Sequence, residues 1–195
     1  GEPDVDRFDD ILGWLAQWFR VLPLDSAARL LRAGALPARA AAITFDDGYA
    51  DNATHALPLL QRHGMPATFF VATSFLDGGR MWNDTLIESI RRCQKDGFDL
   101  NGLGLGWFTL KSADDKRLAI ASLLGRIKHL APDRRDEAVE QVQRAASVAL
   151  PGDLMMTSRQ LIRLRKAGMQ IGAHTCTHPI LASLGDGDAL AEIRT

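Results

Sequence analysis

No part of this sequence stays apolar for long. Arg, Asp and Gly interrupt every hydrophobic run before it approaches the roughly 18 residues that a spanning helix needs, so no membrane span is expected. An excess of one charge is lacking too: 23 Lys and Arg stand against 24 Asp and Glu, for a net charge of −1. That balance gives no electrostatic case for a nucleic-acid partner or an anionic membrane surface. Cysteine is scarce. Cys93 and Cys176 cannot build a disulfide framework and have no C-x-x-C spacing. They fit a reducing compartment, although two free cysteines also occur in exported proteins. The first residues, Gly1-Glu2-Pro3-Asp4, have neither the basic start nor the apolar middle of a signal peptide. Repeats and low-complexity tracts are missing as well. What the chain has is 46% hydrophobic residues in a length of 195, enough for one domain with a real core.

Phe8, Ile11, Leu12, Leu15, Trp18, Phe19 and Leu22 recur at helical spacing and predict an amphipathic helix over 8–22. A second, short helix is expected over 25–33, with Pro37 closing the unit. The apolar run 40–45 reads as one buried strand that stops at Asp46-Asp47-Gly48. Asp51 or Asn52 can cap the next helix, which carries Leu57, Leu59 and Leu60 and is closed by Gly64. Pro58 should kink that helix or delay its regular part. A strand follows over 67–73, rich in the residues a pleated surface favours. Strand, helix and strand in this order make a βαβ unit, so the sheet should be parallel. Between 77 and 151 the character changes: helices are expected near 82–95, 113–130 and 134–149, with 97–106 glycine-rich and irregular. The alternation then resumes. Ser158 caps a helix through Ala167, Gly168 ends it, a strand over 169–173 runs into His174, and a last helix occupies 186–194.

Two polar clusters follow apolar strands. In Thr44-Phe45-Asp46-Asp47-Gly48-Tyr49 the adjacent carboxylates repel one another, and a cation relieves that repulsion. Gly48 permits a sharp turn, and sites in parallel α/β folds lie at the carboxyl ends of strands. Taken alone, the cluster reads equally well as a turn whose side chains cap the next helix. The second cluster is His174-Thr175-Cys176-Thr177-His178-Pro179. Two histidines four apart can converge on one metal of the zinc kind. The spacing is like that of a helical H-E-x-x-H site, but the Glu is missing, and Pro179 biases His178 away from the helical region. The motif is therefore placed on a strand-to-loop exit. Chance H-x-x-x-H pairs are common, and it is the two clusters together that carry weight. Both would open on the same rim of a parallel sheet, one offering carboxylate and the other imidazole. Two histidines and a carboxylate leave positions open for water and substrate, while the neighbouring carboxylate takes a proton. The sum is a metal-hydrolase site.

At these residues the sequence resembles the NodB-homology polysaccharide deacetylases, carbohydrate esterase family four. Their first motif, T-F-D-D-G, is matched by Thr44 to Gly48, and their second, H-[ST]-x-x-H, by His174 to His178. Pro66-Ala67-Thr68-Phe69-Phe70-Val71 also fits the family's passage from first to second strand. The likeness covers 37–75 and 157–195, around a longer-than-usual middle. It implies an α/β fold: a distorted, incomplete (β/α) barrel of the NodB-homology type, a single domain over 1–195 with a mainly helical insertion at 77–151. It implies removal of N-acetyl groups from an amino-sugar polysaccharide or oligosaccharide. By motif position, Asp47, His174 and His178 bind a divalent metal, zinc ahead of cobalt, nickel or iron. Asp46 is the catalytic base acting on metal-activated water. The compartment stays open, with the cytoplasm of a bacterium placed ahead of the periplasm.

The family's later motifs have no counterpart here: an Arg-containing loop that orients the base, an Asp/Trp motif, and a late Leu-x-His that carries the general acid. Nor does a Tyr-His-containing first strand precede Glu2. The expectation is a domain truncated at its C-terminus, and at its N-terminus too, whose 195 residues bind metal yet turn over poorly. Other functions stay open: a non-catalytic, metal-containing carbohydrate-binding module, or a related amidohydrolase acting on a small cyclic amide. Magnesium-dependent phosphoryl transfer ranks last, because no Gly-rich phosphate loop is present and histidine suits softer metals. Outside the clusters, Cys176 is expected to point away from both histidines, and His55, His63 and His129 to lie at the surface or in helix packing. Trp82 and Trp107 are expected in core or lid packing in preference to sugar stacking.

Overall fold

The computed structural model describes residues 3–194. In chain order its helices and strands begin with α1 (Val5–Trp18), β1 (Arg20–Val21), α2 (Leu24–Arg32), β2 (Ala40–Ala41), β3 (Thr44–Phe45), α3 (Leu57–Arg62) and β4 (Thr68–Val71). Then come α4 (Trp82–Arg92), β5 (Gly97–Asp99), β6 (Trp107–Thr109), α5 (Ala113–Ile127) and α6 (Pro132–Ala146). The last are α7 (Ser158–Lys166), β7 (Gln170–Ala173) and α8 (Asp186–Arg194). They form two compact units, one from residues 1–79 with 153–195 and the other from 80–152. No helix among the described residues is long and apolar enough to cross a membrane.

The first unit is built on a parallel sheet in the order β3-β4-β7, with Thr44 opposite Thr68, Phe45 opposite Phe69, and Val71 opposite Ala173. Its core is apolar on the covered face. Phe69 is fully buried and stacks on Phe45 with ring centroids 4.7 Å apart, while Phe8 of α1 meets Phe45 edge-on at 5.9 Å. Leu12, Leu57, Leu60, Met156 and Leu164 fill the same cluster, all fully buried. On the next pair of strands Phe70 lies so close to Gly172 that a Cβ there would meet its ring at 2.6 Å.

Four sequence expectations change here. The first helix stops at Trp18 and does not continue to 22, because the chain beyond it is taken up as β1. Arg20 donates its amide to Arg39 and Leu22 to Ala41, pairing β1 in parallel with β2. The run 40–45 is accordingly two short strands with different partners, β2 on β1 and β3 on β4. The helix after Gly48 is not capped by Asp51 or Asn52: Asp51 is already helical (φ −64°, ψ −24°) and makes no side-chain cap bond. A widened turn over Asn52–Ala56 comes first, closed by the Leu57 amide on the Asn52 carbonyl. Pro58, which has no N–H and whose ring crowds the preceding turn, accounts for the widening and for a regular helix only six residues long. Finally, the cap of α7 is Thr157, one residue before Ser158. Thr157 and Gln160 form a reciprocal capping box, and Ser158 turns to Asp77, donating its amide at 2.8 Å and its hydroxyl at 2.5 Å.

The second unit, 80–152, is mainly helical and has its own core, with Leu86, Ile90, Leu123, Ile127 and Val142 fully buried. The stretch expected to be irregular contains β5, which pairs antiparallel with β6 (Phe98 opposite Phe108). Its glycines hid this: a Cβ on Gly97 would meet the Phe108 carbonyl at 2.4 Å, so close strand approach needs glycine there.

Candidate metal centre

The two polar clusters leave the sheet from its outer strands. Asp46 and Asp47 follow β3, and His174 follows β7, with β4 between them. Neighbouring strands lie about 4.8 Å apart, so the outer two are roughly 10 Å apart and their side chains must reach inward to meet. The end of β4 fixes both sides. The Ala72 amide donates to the Asp47 carbonyl (3.1 Å), and the His174 amide donates to the Val71 carbonyl (2.8 Å). Beyond the strands the contact continues, with Thr73 donating to the Thr175 carbonyl and Ser74 to that of Cys176.

Asp47 is aimed by its backbone. It has φ 72°, and the Gly48 amide bonds back to the Asp46 carbonyl at 2.8 Å, which makes a tight three-residue turn with Asp47 at its apex. Left-handed backbone at a non-glycine residue costs of order 1–3 kcal/mol and persists only where its surroundings over-determine it. Here Gly48 (φ 91°) completes the turn, and its carbonyl is held by the Met156 amide at 2.9 Å. The histidine loop is bent in the same way, at Thr175 (φ 62°) and His178 (φ 55°). His178 is therefore outside the right-handed helical region, as Pro179 requires, but left-handed and not extended. Thr175 stitches the loop: its hydroxyl donates to the His174 carbonyl (2.5 Å) and accepts the His178 amide (3.1 Å).

The result is a three-donor cluster. His174 Nε2 lies 3.5 Å and His178 Nε2 3.3 Å from the same Asp47 oxygen, and the donor atoms of all three residues fall within 4.8 Å of one another. The imidazole centroids are 4.8 Å apart and tilted by 44°. Two donors each about 2.1 Å from a tetrahedral ion would be roughly 3.4 Å apart, so the nitrogen–oxygen separations fit one divalent ion of the zinc kind. All three side chains are half-buried, the histidines about one-third exposed, which leaves access from one side. Asp46 is exposed at the end of β3 and its carboxylate lies outside the three-donor cluster.

Sequence reasoning missed Glu192 of α8. Its Oε2 accepts the Cys176 and Thr177 amides and its Oε1 the Thr177 hydroxyl. Burial raises its pKa, and these three hydrogen bonds more than offset that, leaving the carboxyl below its ordinary value. The only signal available was indirect: amides in a sharply turned loop need acceptors. Cys176 does turn aside from the histidines, its Sγ 2.8 Å from the Ser74 hydroxyl, although the reason is the bend at Thr175 and not an extended segment. His55 and His129 are exposed, and His63 bonds Asp9 at 2.6 Å. Trp82 packs on the core of its unit, with the Arg135 guanidinium 5.4 Å from its ring, whereas Trp107 is 64% exposed and departs from the packing reading.

The Streptococcus pyogenes deacetylase PplD, solved in complex with acetate, superposes on 97% of this chain and 53% of its own with a TM-score of 0.56 and 18% identity. The chain thus has an α/β fold of the deacetylase type. Residues 33–121 match the family described as polysaccharide deacetylase. This match crosses the first motif and runs on into the helical unit, beyond residue 75 where the likeness was expected to pause. YxkH of Bacillus subtilis (strain 168), described as a putative polysaccharide deacetylase, is 31% identical over 121 residues, 57% of this chain and 43% of YxkH. The chain spans about half the length of these relatives.

Proposed function

We propose that the protein is a metal-dependent hydrolase that removes N-acetyl groups from an amino-sugar polysaccharide. The observation that carries this reading is the meeting of Asp47, His174 and His178 within 4.8 Å, next to an exposed Asp46, on a polysaccharide deacetylase sequence. Asp47 and the two imidazoles hold the ion; this mixed nitrogen and oxygen set favours zinc, with cobalt, nickel or iron as substitutes, over magnesium or calcium. When bound, the ion supplies a Lewis acid for an amide carbonyl and acidifies a water. Asp46, one residue away and open to solvent, takes the proton of the attacking water. The three parallel strands are read as an arc of a distorted, incomplete (β/α) barrel. The unit 80–152 is read as a helical elaboration within a single deacetylase domain.

The test is acetate release from an N-acetylated chito-oligosaccharide by zinc-loaded protein, with metal content measured alongside. Asp46→Asn is expected to keep the metal and lose 10²–10⁴-fold in rate, the range a positioned base contributes. Asp47→Ala is expected to lose both metal and activity. Full activity in Asp46→Asn would remove the base assignment, and undiminished metal in Asp47→Ala would remove the ligand assignment.

A further inference from the structure

The loop between the two histidines is held on its carbonyl side by the Thr73 and Ser74 amides and at Cys176 Sγ by the Ser74 hydroxyl, and its amides are taken by one side chain. Glu192 Oε2 accepts the Cys176 amide at 2.9 Å and the Thr177 amide at 2.8 Å, and Glu192 Oε1 accepts the Thr177 hydroxyl at 2.5 Å. Cys176 and Thr177 lie between His174 and His178, in a turn whose left-handed residues Thr175 and His178 have no glycine to ease them. Such a turn relaxes unless its surroundings over-determine it. The Thr175 hydroxyl fixes the turn from within, the segment after β4 holds its carbonyls, and Glu192 of α8 is the acceptor for its amides. Hydrogen bonds to an ionised carboxylate are about twice as strong as neutral ones, and both oxygens are used here.

We propose that Glu192 is a positioning residue for the metal centre, clamping the Cys176–Thr177 turn so that His174 and His178 face Asp47 before an ion arrives. This rests on the reading of Asp47, His174 and His178 as ligands. Glu192 lies outside the three-donor cluster and acts through the spacing of the two imidazoles. A glutamine in its place can still accept the two amides through its carbonyl and donate to the Thr177 hydroxyl, whereas alanine removes all three bonds.

The test is direct titration of the apo protein with zinc and with cobalt(II), following the visible absorption of cobalt as a report on ligand geometry. Glu192→Ala is expected to bind both metals 10–100-fold more weakly, the usual effect of removing a group that orients a metal ligand, and to alter the cobalt spectrum. Glu192→Gln should recover most of the affinity and the wild-type spectrum. Circular dichroism of each apo variant checks that the fold is retained. If Glu192→Ala unfolds, Glu192→Asp takes its place, because the shortened side chain cannot span the same three donors and should give the same weakening. Wild-type affinity and spectrum in the folded alanine or aspartate variant would overturn the clamp, with the ligand reading standing so long as Asp47→Ala abolishes binding. Undiminished binding in Asp47→Ala would instead overturn the ligand reading, and the clamp with it.

Discussion

Gly48 and Gly13 make opposite demands on the same substitution. At Gly48 the backbone is left-handed (φ 91°), and an added Cβ would meet the buried Val71 Cγ1 at 2.8 Å. Gly48→Ala is therefore expected to destabilise the protein by about 1–3 kcal/mol, through backbone strain and overpacking together. Gly13, in the middle of α1, has ordinary helical backbone and nothing within 4 Å of an added Cβ. Gly13→Ala is expected to stabilise by about 0.5–1 kcal/mol, since alanine loses less freedom on forming a helix. Denaturant midpoints of the two variants, compared with wild type, check both signs. The Asp47–Gly48 pair thus couples a chemically demanding residue to a conformationally demanding one, and neither position tolerates exchange with the other.

At the scale of elements, the start of α7 carries a pH dependence. Asp77 accepts the hydroxyl and amide of Ser158, and these bonds, against a smaller cost of burial, hold its carboxyl below its ordinary value of 3.8. A depressed carboxylate contributes stability that is present above the ordinary value and lost as pH falls through the folded one. Asp77→Asn is therefore expected to lower the melting temperature at pH 7, with the gap to wild type closing below about pH 4. Thermal melts of both proteins across that range test the sign. Thr157→Ala, which opens the capping box, is expected to cost about 1 kcal/mol at any pH.

Elements also show what the sequence made legible. The βαβ order and the parallel sheet follow from apolar runs alternating with helical periodicity, a local signal. Asp46, Asp47, His174 and His178 stand out because polar residues that close apolar strands are conspicuous. The division of 40–45 into β2 and β3 is invisible in a uniformly apolar run, since the change of partner leaves no mark on its pattern. Glu192 is hidden for a different reason. Its role depends on two left-handed residues folding the histidine loop back toward α8, and a Glu in a short polar helix otherwise reads as solvated surface.

For the whole molecule, the ligand reading has a thermodynamic consequence. Asp47 and the two histidines come from opposite ends of the 1–79 and 153–195 unit, so an ion held by all three would bind only the folded chain. Zinc at 100 times its dissociation constant is then expected to stabilise the protein by about 2.7 kcal/mol. The rise in melting temperature should vanish in Asp47→Ala and be reversed by a chelator. Calorimetric scans with and without zinc measure it.

One feature of the sheet bears on how a mutational survey of this protein would read. Val71 and Ala72, at the end of β4, contribute no ligand, yet the Val71 carbonyl and the Ala72 amide anchor the backbones of His174 and Asp47 on either side. Both are buried, with Val71 1% exposed and Ala72 fully enclosed. Bulky or proline replacements there would score as loss of function with the three donors intact, and a map of sensitive positions would draw the centre one strand wider than its chemistry.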